Sequence, residues 1–165
     1  MSKDHAFESL YQKYQGMVSQ LCLGYVKGDT DQAYDLSQEV FINCWKAMDT
    51  FRGEASYKTW VYRVTVNTCL QHIRREKRRP QVPWQTVEGQ VAATPAPDPA
   101  PQYRALYQAI GQLSELDRLI MMMVLDELDY EEIAHVTGLT AGNLRVRIHR
   151  NKKTLKTLLA HEQSR

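Results

Sequence analysis

Between Ile133 and His161 the chain carries no carboxylate, while Arg145, Arg147, Arg150, Lys152, Lys153 and Lys156 crowd into the same stretch. Cations without acidic neighbours neutralise phosphates, so this segment can hold a nucleic-acid backbone with an affinity that falls as salt rises. A second basic run, Arg74, Arg75, Lys77, Arg78 and Arg79, follows aromatic residues interleaved with cations: Tyr57, Lys58, Trp60, Tyr62 and Arg63. Rings stack on bases while cations follow phosphates, a combination suited to single-stranded or unstacked DNA. The same spacing equally suits Trp60 and a tyrosine packed in a helical core. A third group, Asp35, Gln38 and Glu39, recurs at i, i+3 and i+4 and so shares one side of a helix. That side could pair with basic side chains of another protein, or simply solvate the helix. Catalysis has no comparable basis. His5, His72, His135, His149 and His161 are scattered, and neither a Ser/His/Asp set nor paired carboxylates can be argued from spacing. No enzyme activity, cofactor or metal is expected.

The elements that must position the last basic stretch can be read residue by residue. An acidic cluster, Asp126, Glu127, Asp129, Glu131 and Glu132, precedes the turn Thr137-Gly138-Leu139-Thr140. Asp129 can accept from the amide of Glu132 and start a short helix whose buried side is Ile133, Ala134 and Val136. Gly138 suits a left-handed residue that ends it, Leu139 fills the corner, and Thr140 can cap the next helix. That helix opens with Ala141 and Gly142, small enough for close approach to a DNA backbone. Leu144, Ile148, Leu155 and Leu158 then face inward, leaving Arg145, His149 and Lys152 outside. Two short helices around such a turn, the second one basic, place a helix end in the major groove.

With 165 residues, 43% apolar and 24% charged, the composition is that of a soluble globular protein. The net charge of +2 is small, and its distribution says more than its size. No window approaches a membrane span, and the polar start lacks the apolar core of a secretory signal. Cys22, Cys44 and Cys69 are odd in number and widely spaced, and are expected as buried reduced thiols in a cytoplasmic protein. All six prolines lie between Pro80 and Pro101, which reads as a linker. The expected organisation is a unit over residues 1–79, a linker over 80–101 and a unit over 102–165. In the first unit Phe7, Leu10, Tyr11, Tyr14, Val18, Leu21 and Cys22 recur at helical steps from near Asp4, and Ala33, Leu36, Val40, Phe41, Cys44 and Trp45 form a second apolar face. Ser56 can cap a third helix, which the β-branched run Val64-Thr65-Val66 is expected to interrupt near Asn67, presenting Asn67 and Thr68 at a loop tip. No alternating strand pattern appears, so the fold class is all-α: two small helical domains joined by a Pro-rich linker.

Taken together, these residues resemble bacterial sigma factors of the extracytoplasmic-function (ECF) class of the sigma-70 family. The similarity runs through Asp31-Gln-Ala-Tyr-Asp-Leu-Ser-Gln-Glu-Val-Phe41 and Phe51-Arg-Gly-Glu-Ala-Ser-Tyr-Lys-Thr-Trp-Val-Tyr-Arg-Val-Thr-Val-Asn67. It continues in Leu113-Ser-Glu-Leu-Asp-Arg118, Asp129-Tyr-Glu-Glu-Ile-Ala134 and Gly142-Asn-Leu-Arg-Val-Arg-Ile-His-Arg150. The resemblance implies a region 2 bundle, a linker and a region 4 helix-turn-helix. It implies that Asp35, Gln38 and Glu39 dock on the β′ clamp helices of core RNA polymerase, with the β flap as a further contact. Lys58, Trp60, Tyr62, Arg63, Asn67, Thr68, Arg74 and Arg75 would melt and read the −10 element, Asn67 capturing a flipped base. Thr140, Asn143, Arg145, Arg147, His149, Arg150 and Lys153 would read the −35 element. An anti-sigma factor is an implied partner; direct membrane insertion is not. Gln71 stands where the family often has Asp, and Arg145-Val146 where it often has Lys-Ser. A stand-alone helix-turn-helix regulator is the alternative, and it would not need the face of Asp35, Gln38 and Glu39.

Overall fold

The computed structural model describes residues 2–78 and 101–164; the expected linker lies outside the described residues apart from Pro101. Among the described residues there is no strand. The helices are α1 (Lys3–Tyr25), α2 (Thr30–Ala47), α3 (Tyr57–Arg78), α4 (Pro101–Gly111), α5 (Glu115–Leu125), α6 (Tyr130–Thr137) and α7 (Ala141–Gln163), with a short 3-10 turn at Met48–Thr50.

Local chemistry accounts for where these helices begin. Each N-terminus leaves amides without intrahelical acceptors, and a short polar side chain supplies one. The Ser2 hydroxyl accepts from the amide of His5, Asp29 from Gln32, Asp129 from Glu132 and Thr140 from Asn143. The Ser56 hydroxyl accepts from the Thr59 amide at 3.2 Å, opening α3. Gly138, at φ 77°, ends α6 in the left-handed region, where a side chain would be strained.

The apolar stripes then fix the packing. Leu10, Tyr14, Val18 and Leu21 of α1 bury against Leu36, Val40 and Phe41 of α2, with Tyr11 and Phe41 edge to face at 4.7 Å. Val61, Tyr62, Val66 and Cys69 of α3 close this bundle. In the second unit, Leu119, Ile120 and Met123 of α5 meet Ile133 and Val136 of α6 and Leu144, Ile148 and Leu155 of α7.

One expectation changes. The third helix does not break at Asn67; α3 runs unbroken through it. Thr65 and Thr68 donate their hydroxyls to the carbonyls of Val61 and Val64, each at 2.7 Å, and both side chains are buried. Back-bonding and burial thus outweigh the weak helical preference of β-branched residues. The two helical units are also packed together. Met122 of α5 sits over Gly24 of α1, Arg118 donates to the carbonyl of Tyr25 at 3.3 Å, and one continuous apolar core crosses from one unit to the other.

Candidate nucleic-acid interface

On α7 the buried residues are Leu144, Ile148, Asn151 and Leu155. At about 100° per residue, Gly142, Val146, His149, Arg150 and Lys153 fall on the opposite side, and all are exposed. Asn143 and Arg145 flank that side and are exposed too. Thr140 is exposed, its hydroxyl engaged as the cap of α7. Arg147 belongs elsewhere. Its guanidinium donates to Asp117 of α5 at 3.1 Å, so it ties α7 to its own unit instead of facing outward. Burial opposes ionisation of Asp117, yet hydrogen bonds from Ser114, Asn151 and Arg147 prevail and hold its carboxyl below the usual carboxylate range.

Along α3 the same angular argument groups Trp60, Asn67, Gln71 and Arg74 on one stripe, away from the buried Val61, Thr65 and Cys69. Trp60 is half-buried in a ring cluster, 5.4 Å from Phe51 and 6.3 Å from Tyr57, while Phe51 and Tyr57 stack at 4.4 Å. Phe51 was legible only as a break between helices; its aromatic type just before a helix capped by Ser56 was the available signal. Asn67 and Arg74 are exposed.

The other residues expected at the −10 element are placed differently. Tyr62 is buried, and its hydroxyl donates to Asp126, the residue that caps the end of α5, so its ring packs between the two units and cannot shield an opened strand in this arrangement. Thr68 is buried and bonds Asn43 of α2 and the Val64 carbonyl, which removes it from any loop tip. Arg63 donates to the carbonyl of His135 in α6 at 3.4 Å. Lys58 is exposed on the opposite side of α3 from Trp60, near enough to Asp126 for its charge to act on that carboxyl. Arg75 is exposed and ion-paired to Glu39.

On α2, Asp35 is exposed, and Gln38 and Glu39 are half-buried on the same side. Glu39 is already engaged within the chain, by Arg75 and by His72 at 3.6 Å. Among the described residues no group of His, Cys, Asp or Glu is assembled to hold a metal ion, and no helix is long and apolar enough to cross a membrane.

The fold and these faces define a two-unit helical DNA-binding protein whose second unit is a helix-turn-helix. Comparison with known proteins narrows the class. Residues 10–79 match the Sigma-70 region 2 family and residues 103–155 the Sigma-70, region 4 family. The RNA polymerase sigma-H factor of Pseudomonas aeruginosa is 31% identical, the alignment covering 93% of this chain and 86% of that protein. The ECF RNA polymerase sigma-E factor of Escherichia coli (strain K12) is 32% identical, over 91% of this chain and 84% of that protein. Two solved structures share the fold. CnrH in complex with the cytosolic domain of CnrY has a TM-score of 0.68 at 21% identity, covering 96% of this chain and 90% of that one. RpoE of Bartonella quintana with the anti-sigma factor NepR has a TM-score of 0.69 at 22% identity, covering 93% and 98%.

The chain belongs to the ECF group of the sigma-70 family. It is an alternative sigma factor: it binds core RNA polymerase and directs promoter-specific initiation by recognising −10 and −35 elements and melting the −10 DNA.

Proposed function

We propose the following division of labour. The exposed side of α2 around Asp35 and Gln38 docks on the β′ clamp helices of core polymerase, with Glu39 contributing once Arg75 is drawn away to DNA. The α3 stripe of Trp60, Asn67 and Arg74, beside Phe51 and Tyr57, receives the opened −10 strand: rings stack on bases, Asn67 offers a donor and an acceptor to a base edge, and Arg74 follows the phosphates. The outer side of α7 reads the −35 element. Domain limits of 1–79 and 102–165, with a linker over 80–101, belong to the same reading. So do a cytoplasmic site of action, a role without catalysis of its own, the β flap as a second polymerase contact, and control by an anti-sigma factor.

The observation that carries this reading is the separation of faces. A carboxylate-free outer side on α7 and an aromatic and basic stripe on α3 stand on different elements, as two promoter contacts require. Transcription by core polymerase plus this protein on genomic DNA, with sequencing of the transcripts, tests it. Shared sequences upstream of the start sites are expected at both distances. Asp35→Arg, at an exposed position, is expected to abolish co-purification with core enzyme while leaving helicity unchanged. Unaltered binding of that variant would remove the α2 assignment.

A further inference from the structure

Val146 lies in the middle of the outer side of α7, 48% exposed and opposite the buried stripe of Leu144, Ile148 and Leu155. Its neighbours on that side are Gly142 one turn earlier and His149, Arg150 and Lys153 one to two turns later, all exposed. Nothing in the fold calls for an apolar residue here. A β-branched side chain on the outer side of a helix loses χ1 freedom, and here it leaves much of its apolar surface in water.

Gly142 adds a second observation. Glycine weakens a helix relative to alanine, by roughly 1 kcal/mol in an interior, and a Cβ at Gly142, in the first turn of α7, would meet nothing within 4 Å in this fold. Internal packing therefore does not explain the glycine, whereas close approach of another molecule to the first turn of α7 does. The missing side chain lets the helix settle deeper at the level of Val146, while Arg150 and Lys153 bring it to the phosphates.

In the major groove the one apolar group that a base presents is the thymine 5-methyl; every other distinguishing group there donates or accepts a hydrogen bond. Valine does neither. Against an amino or carbonyl edge it would strip water without replacing it, and against the methyl it gains buried apolar surface. Its stiff χ1 means that little rotamer freedom is lost on contact. We propose that Val146 selects thymine at one position of the −35 element by packing against its 5-methyl group. This rests on α7 being the −35 reader.

The test uses holoenzyme assembled from core polymerase and the full chain. A promoter library randomised over the −35 region is selected by binding, and each thymidine of the selected element, on either strand, is then replaced in turn by deoxyuridine. That replacement removes the methyl and leaves base pairing intact. One position is expected to lose about fourfold in affinity, the factor for a single buried methyl. Val146→Ser, of unchanged helicity, is expected to bind the thymine and uracil promoters alike at that position. Equal binding to every uracil promoter, unchanged uracil sensitivity in Val146→Ser, or a selected element without thymidine overturns the proposal and leaves α7 as the −35 reader. A library with no −35 enrichment overturns both.

Discussion

Arg147 and Arg150 stand three residues apart on one helix, and their surroundings divide them into a structural and a DNA-facing cation. Asp117, the partner of Arg147, is ionised more readily in the fold than in the unfolded chain. A carboxyl lowered by folding contributes stability above its unfolded value, near pH ~4, and loses it as pH falls through the lower folded value. Asp117→Asn is therefore expected to cost about 1–2 kcal/mol at pH 7, and the gap to wild type should close as the pH falls below about 4. Urea melts across that range measure it; a gap that does not depend on pH would mean that the charge is not what matters. The thiols make a second case. Cys22, Cys44 and Cys69 are free and fully buried; burial pushes the Cys44 thiol up to about 12, and a hydrogen bond with Cys22 together with burial raises Cys69 as well. Since the thiolate is the nucleophile, the native protein should resist iodoacetamide at pH 8 and gain three adducts by intact mass only in denaturant. Native-state labelling would place a thiol at the surface.

At the level of elements, the turn between α6 and α7 sets the angle at which the reading helix is presented. Gly138 holds φ 77° with open space around the missing Cβ, so a substitution there costs backbone strain and not a clash. Gly138→Ala is expected to lose about 1–2 kcal/mol, and Gly138→Asn less, because asparagine tolerates the left-handed region. Thermal melts give the order, and an alanine variant as stable as wild type would contradict it. This turn was legible from sequence because its signals are local: Asp129 and Thr140 as caps, Gly138 as stop, Ile133 and Leu144 at helical spacing. The outward placement of Arg145, His149 and Lys152, all exposed, followed from the same periodicity. The course of α3 was not legible. Propensity argued for a break at Asn67, and what decides the matter is tertiary burial of Thr65, Val66 and Thr68. The pairing of Arg147 with Asp117 joins residues 30 apart and that of Tyr62 with Asp126 residues 64 apart, so no local pattern announces either.

At the scale of the whole molecule, the contact between the units has its own chemistry. A Cβ at Gly111 of α4 would lie 2.9 Å from the Lys27 Cβ and 2.7 Å from its Cγ, and Lys27 is held in a turn at φ 64°. Gly111→Ala is expected to loosen this seam while sparing every side chain assigned to DNA or polymerase, and small-angle scattering should then show a larger radius of gyration; an unchanged radius would mean that the turn yields instead. Burial also raises the Asp126 carboxyl above its ordinary value, so the seam favours the protonated acid: its contribution is full below the usual carboxylate range and fades as pH climbs through the raised value. The seating of Met122 on Gly24 has a consequence in plain lengths. By their numbering the −10 and −35 elements lie about 25 base pairs apart, roughly 85 Å of duplex at about 3.4 Å per pair. A folded chain of this size is only about 40 Å across. No single pose of the joined form spans that gap, so α5 must lift off α1 before both elements are held at once. Holding both elements at once therefore means opening the methionine–glycine seat, and contacts made outside the chain have to offset that loss.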